Sequence, residues 1–191
     1  MLYIASSSSS RAKLLKQNNF EFSQLQVSFN ESSVDKNLKP ELYVQKVLEL
    51  KEKLFFESKE FEALKAHFDE KNDSILFADS IVSVDDTIIL TKAYNDDEAL
   101  EMLSLQNTKK VSIISALSII SSRIITALSL AKLTLAPFEE NELKAFIASK
   151  GYLGKAGCIE CEGFHKKYIL KLQGKLSTAL GLDISILKAY L

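Results

Sequence analysis

Cysteine, histidine, proline and glycine are all scarce in this 191-residue chain, and each shortage closes off a class of protein. The only two cysteines, Cys158 and Cys161, form a single C-x-x-C, and one pair cannot complete a tetrahedral zinc site. On a strand, residues three apart point to opposite faces, so the two read as reduced structural thiols of a cytosolic protein, where disulfides are rare. His67 and His165 lie far apart without ligand spacing and read as surface or packing residues. Two prolines in a chain that is 47% hydrophobic exclude a disordered composition. All six glycines fall after residue 150, at 151, 154, 157, 163, 174 and 181. Close backbone approach is therefore expected in the C-terminal third. An excess of charge of one sign is missing too, with 24 basic against 25 acidic residues and a formal net of -1. Such a chain has no broad field to draw it onto nucleic acid or an anionic membrane, so neither is an expected partner and any anion must be held by a local cluster.

The N-terminus, Met1-Leu2-Tyr3-Ile4-Ala5, runs straight into five serines without the basic and apolar regions of a signal peptide, which points to a cytoplasmic protein. The apolar segment 111–136 is interrupted by Arg123 and Lys132 and is rich in Ser, Thr, Val and Ile. It reads as two buried strands around a Ser121-Ser122-Arg123 turn, not as a membrane span. The length suits one sizeable core, hence a single domain over 1–191.

What is present is organised around 75–92, two β-branched runs joined at Asp85-Asp86, with one acid, Asp79, inside an otherwise apolar strand. A two-residue turn at Asp85-Asp86 sets Val84 against Thr87 and, further down the ladder, Asp79 against Lys92. A carboxylate and an ammonium on one sheet face suit phosphate chemistry; a structural salt bridge is the plainer alternative.

Upstream, the strand Leu2–Ala5 passes through Ser6–Ser10 into a helix beginning Arg11-Ala12-Lys13-Leu14-Leu15. Backbone N–H groups and the positive helix end then converge as an anion site, or Ser9 or Ser10 simply caps the helix. Arg11 opposes the helix dipole and so calls for an outside anionic partner. Alternating apolar residues make Phe20–Phe29 a strand or two, followed by Glu31, an acid that is either solvated or within reach of a site at the sheet edge. Pro40 opens a long helix through Val47, Leu50, Leu54 and Phe55, on which Lys51 either snorkels outward or reaches over the sheet into a cleft. A second charged helix is expected over 56–71, and Asn95 with Glu98 forms a capping box. Beyond a helix at about 139–149, strands are expected at Cys158–Cys161 and Tyr168–Leu172, and a final helix runs through Ile184, Leu187 and Tyr190. Helices and strands interleave throughout, which predicts an α/β fold with a mixed sheet.

In order and spacing these segments resemble the Maf family of nucleoside triphosphate pyrophosphatases. The family's L-A-S-x-S-P-R-R-x-x-L-L is met by Ile4-Ala5-Ser6-Ser7-Ser8-Ser9-Ser10-Arg11-Ala12-Lys13-Leu14-Leu15, with serine in place of the proline and the first arginine. Its acid after the second strand is matched by Glu31, and its Y-V-x-R-L-A-x-x-K by Tyr43 to Lys51. Its G-A-D-T is met by Phe77-Ala78-Asp79-Ser80, its G-K-P by Thr91-Lys92-Ala93, its D-K-A-G by Gly154-Lys155-Ala156-Gly157, and its I-Q-G by Cys161-Glu162-Gly163.

The resemblance implies a central mixed, twisted sheet flanked by helices, in an inosine triphosphate pyrophosphatase-like architecture with a cleft between two lobes. It implies metal-assisted hydrolysis of a nucleoside triphosphate to the monophosphate and pyrophosphate, clearing non-standard nucleotides. Septum formation and cell division are also linked to the family, so a nucleotide-binding regulator with weak or no catalysis is the alternative. Asp79 is implied as the general base and, with Glu31, as a ligand of Mg²⁺, or of Mn²⁺, both hard cations that take oxygen donors. Arg11, Lys51 and Lys92 would surround the phosphates, Ser6 and Ser8 would add donors, and Lys155 is a further phosphate contact. Base choice is implied at Ser10, Ser80 and Glu162, where the subfamily acting on dTTP and UTP has Arg, Thr and Gln. A carboxylate only accepts hydrogen bonds, so Glu162 favours a base that presents amino or N–H donors, such as guanine or cytosine. A homodimer is left open.

Overall fold

The computed structural model describes every residue except Ser28, Glu31 and Ser32. Among the described residues, seven strands form one mixed sheet: β1 (Leu2–Ala5), β2 (Phe22–Leu25), β3 (Ser74–Val84), β4 (Ile88–Leu90), β5 (Lys110–Ile120), β6 (Ile124–Leu135) and β7 (Ile169–Gln173). Their spatial order is β2-β1-β3-β5-β6-β7, with β4 also paired to β3. β1 runs parallel to both β2 and β3, whereas the pairs from β3 through β5 and β6 to β7 are antiparallel. The helices are α1 (Ser9–Gln17), α2 (Pro40–Phe56), α3 (Lys59–Lys65), α4 (Asp96–Gln106), α5 (Glu140–Ala148), α6 (Leu176–Ala179) and α7 (Ile184–Tyr190). Among the described residues no helix is long and apolar enough to cross a membrane.

Alternation along β3 decides which helix meets which face. Ile75, Phe77 and Ile81 point to one side and pack with Tyr43, Val44, Val47, Leu48 and Phe55 of α2. The Phe55 and Phe77 rings meet edge to face at 5.3 Å, a pairing worth about 0.5–1.5 kcal/mol beyond the area it buries. Leu76 and Ala78 point the other way, onto Leu14 and Leu15 of α1 and Ile184 and Leu187 of α7. α2 begins as its sequence dictates, with Pro40 at the start where its missing N–H costs nothing. The two apolar runs of 111–136 are β5 and β6, with Ser121-Ser122-Arg123 as their turn. Asn95 caps α4 as expected, its side chain accepting from the Glu98 N–H at 2.9 Å, but the Glu98 carboxylate, which a capping box aims at the Asn95 backbone N–H, accepts from the Asn95 side-chain amide at 2.9 Å and from Tyr94 N–H at 3.0 Å.

Four local expectations are corrected, the first being that the charged helix expected over 56–71 spans only Lys59–Lys65. At the hairpin, Asp85 and Asp86 adopt φ of 52° and 55° and Thr87 N–H donates to Val84 O at 3.2 Å, yet the ladder resumes with Val84 opposite Ile88. That one-residue slip, and the end of the ladder at Val82–Leu90, mean that Asp79 and Lys92 are not cross-strand partners. The stretch Cys158–Cys161 is a series of turns, not a strand: Gly157 and Cys158 both take positive φ, which breaks an extended run. The cap of α1 is Ser8, not Ser9 or Ser10; its Oγ accepts from Arg11 N–H at 3.4 Å.

One edge of β3 positions the site. Along it, residues 74–76 pair with β1 and 82–84 pair with β4. Between the two ladders lies 77–81, where β1 has turned away into the serine loop and β4 has not begun. In open α/β sheets ligands bind outside the carboxyl ends of strands at such a divergence, and Asp79 and Ser80 sit in this gap.

Candidate functional site

A cleft of about 640 Å³ opens at that gap, within the ~300–1,000 Å³ range of small-molecule sites. Ser6, Ser8, Ser10, Arg11, Lys51, Asp79, Ser80, Lys92, Lys155 and Glu162 all line it. Every site residue named from the sequence is thus brought to one cleft except Glu31, which lies outside the described residues.

Asp79 is 5% exposed and shares the α2 side of the sheet with Phe77 and Ile81. Lys51 reaches it from α2, where the neighbouring turns at Val47 and Phe55 are fully buried. Lys51 is 6% exposed and its ammonium donates to Asp79 Oδ1, so this lysine enters the cleft and does not snorkel outward. Desolvating two charges costs several kcal/mol each, which makes a buried ion pair a poor device for stability alone. Lys92 comes to the same cleft beyond the β4 ladder, through an isolated bridge to Ala156. Gly157 N–H donates to Thr91 O at 2.6 Å, and a Cβ at Gly157 would lie 2.6 Å from Val82 Cβ. Only glycine lets this loop close on β3.

Arg11 approaches from the other side. The residue is 9% exposed, and its guanidinium is anchored at three points: Nε to Gly181 O at 2.9 Å, Nη1 to Ser6 Oγ at 3.3 Å and Nη2 to Ser80 Oγ at 3.1 Å. Ser8 N–H donates to Ser6 Oγ at 3.2 Å, which folds the serine loop back on itself. Ser10 is exposed on the first turn of α1. Lys155 is held by the Glu160 carboxylate at 3.2 Å and by Gly151 O, so it lines the cleft already neutralised.

Several lining residues carry no signal in the sequence. Lys13, one turn of α1 toward the mouth, pairs with Glu162 at 2.5 Å. Glu162 stands on a turn pinned by Glu160 and His165: Glu160 N–H donates to His165 Nδ1 and His165 N–H to Glu160 O, each at 3.1 Å. His165 is fully buried among Phe138, Phe146 and Phe164, and desolvation lowers its pKa from 6.5 to about 4 despite the nearby Glu160 charge. Cys161 also lines the cleft. Burial raises its thiol to about 12 and that of Cys158 to about 11, so neither is a nucleophile near neutral pH. Both are free and buried, in different apolar clusters. Gly181 betrays itself only as an isolated glycine, with φ of +97°.

An α/β protein whose sheet splits around a cleft carrying buried cations and one buried carboxylate is the class that this geometry defines. The chain belongs to the Maf family: the family described as Maf-like protein matches residues 1–191. A nucleoside triphosphate pyrophosphatase of Campylobacter jejuni subsp. doylei is 48% identical over the whole of both chains. One from Helicobacter pylori is 35% identical, covering 96% of this chain and 90% of its own. Among solved structures, the Staphylococcus aureus Ham1 protein is similar at a TM-score of 0.42, with 16% identity over 71% of each chain.

Proposed function

We propose that this protein hydrolyses a nucleoside triphosphate to the nucleoside monophosphate and pyrophosphate in the cleft at the β1–β3–β4 divergence. The observation that carries this reading is the buried Lys51–Asp79 pair in a cleft that also holds Arg11 and Lys92. Full-length similarity to pyrophosphatases supports it. A triphosphate needs cations for its oxygens and for the departing pyrophosphate, and a base for the attacking water. In this reading Asp79, fixed by Lys51, accepts the proton as water attacks the α–β anhydride. Arg11, Lys51 and Lys92 take up the charge that passes to pyrophosphate, with Ser6 and Ser8 as further donors. Lys155 joins them only by leaving Glu160.

The donor chemistry fits a hard divalent cation. Among the described residues no three His, Cys, Asp or Glu side chains group together, and Mg²⁺ characteristically takes one or two carboxylates plus water and substrate phosphates. Asp79 would hold it, with Glu31 as the expected second ligand; when bound, Mg²⁺ or Mn²⁺ neutralises phosphate charge. Glu162, presented at the cleft mouth, favours a base with amino or N–H donors. Asp79→Asn tests the assignment: nucleotide binding measured by calorimetry persists while pyrophosphate release stops. Turnover by that variant would remove Asp79 as the base.

A further inference from the structure

From the cleft wall into the core runs a pair of linked hydroxyls, half-buried Ser80 and buried Ser115, that the proposed chemistry does not use. Ser80 of β3 and Ser115 of β5 are register partners, and their side chains meet Oγ to Oγ at 2.6 Å. Ser80 Oγ accepts from Arg11 Nη2 at 3.1 Å. A hydroxyl that accepts there has a single hydrogen to give, and it goes either to Ser115 Oγ or to Gly181 O at 3.2 Å. Ser115 in turn donates to Thr178 O at 3.4 Å. When Ser80 gives its hydrogen to Gly181 O, Ser115 donates to Ser80 instead; either arrangement ties Arg11 through the two hydroxyls to the backbone over 178–181, whose Gly181 carbonyl also accepts from Arg11 Nε. Bonds aligned in this manner polarise and stiffen one another in a low-dielectric setting. Ser115 is 4% exposed and does not line the cleft, so it cannot act by touching substrate.

We propose that Ser80 and Ser115 are positioning residues for Arg11, holding its guanidinium where phosphate oxygens arrive. The Ser80 hydroxyl is committed to this chain and does not read the nucleobase. The inference rests on the cleft binding a triphosphate, and its test separates the two ideas. Inorganic tripolyphosphate with Mg²⁺ is titrated into wild type, Ser80→Ala, Ser115→Ala and the double variant, and kcat/KM is measured for dTTP, UTP, CTP and GTP. Each single variant is expected to weaken tripolyphosphate binding about five- to tenfold, the worth of one buried hydrogen bond, and to lower kcat/KM by a similar factor for all four bases. The double variant is no worse than about the larger single, because both break one chain. Ser80→Thr, which keeps the hydroxyl, binds more tightly than Ser80→Ala. Full affinity in a folded Ser115→Ala overturns the proposal, as does a change in base ranking in Ser80→Ala. If alanine at 115 lowers the folded fraction in urea titration, Ser115→Cys, with similar volume and a poor acceptor, must show the same loss or the proposal fails. A wild type that releases no pyrophosphate defeats the hydrolytic reading alone, and the tripolyphosphate titration still decides the hydroxyl chain.

Discussion

Acidification should unlock the turn that carries Glu162, because His165 is folded into the core as a neutral ring. Its folded pKa lies near 4 against 6.5 for the free residue, through desolvation. The unfolded chain therefore binds the extra proton first, and stability falls as pH drops through 6.5 toward 4. At about 1.4 kcal/mol per pH unit, wild type loses about 2 kcal/mol by about pH 5 and about 3 kcal/mol by about pH 4 from this group. His165→Gln keeps an acceptor for Glu160 N–H and cannot titrate there. It starts less stable by about 1–3 kcal/mol, having lost ring contacts to Phe138, Phe146 and Phe164. Its urea-unfolding free energy should nonetheless fall less steeply between about pH 7 and about pH 4, since the carboxylate contributions common to both proteins cancel in the comparison. Parallel pH profiles for the two proteins would refute the reasoning, as would an imidazole NMR titration of His165 centred at the ordinary 6.5.

Lys51→Met strands the Asp79 carboxylate in the core and should cost about 3–5 kcal/mol in denaturant unfolding. Adding Asp79→Asn should recover part of that loss, and strict additivity would contradict a direct pair. Gly157→Ala meets Val82 at a positive φ and should destabilise by about 1–3 kcal/mol in thermal or urea melts; a neutral result would mean that the loop does not rest on β3. Glu162→Gln breaks an exposed pair with Lys13, so stability should change by less than about 1 kcal/mol. Its kcat/KM ratio of dTTP and UTP to GTP and CTP should rise; an unchanged ratio would remove Glu162 from base choice.

Arg11, Lys51 and Asp79 are each singled out by a local rule, whereas Ser10, Ser80, Lys155 and Glu162 enter only through the family resemblance. A serine loop between a strand and a helix delivers Arg11, a proline-started amphipathic helix delivers Lys51, and an acid in an apolar strand announces Asp79. How Asp79 meets a cation was not legible. Ladder counting assumed that pairing resumes immediately after the Asp85-Asp86 turn, and one further residue there changed every partner. The ion pair to Lys51 depends on how α2 crosses the sheet, which no local pattern encodes. Likewise the apolar run around Cys158 and Cys161 reads as strand, but the positive φ at Gly157 and Cys158 bends it into turns whose side chains fill separate clusters. Ser115 and Lys13 join the site solely through register and the packing of distant loops.

Cleavage at the α–β anhydride in this cleft is decided by ³¹P NMR of purified protein with a nucleoside triphosphate and Mg²⁺. Monophosphate and pyrophosphate should appear together in equal amounts, and neither with Asp79→Asn. Orthophosphate and diphosphate as the first products would contradict it.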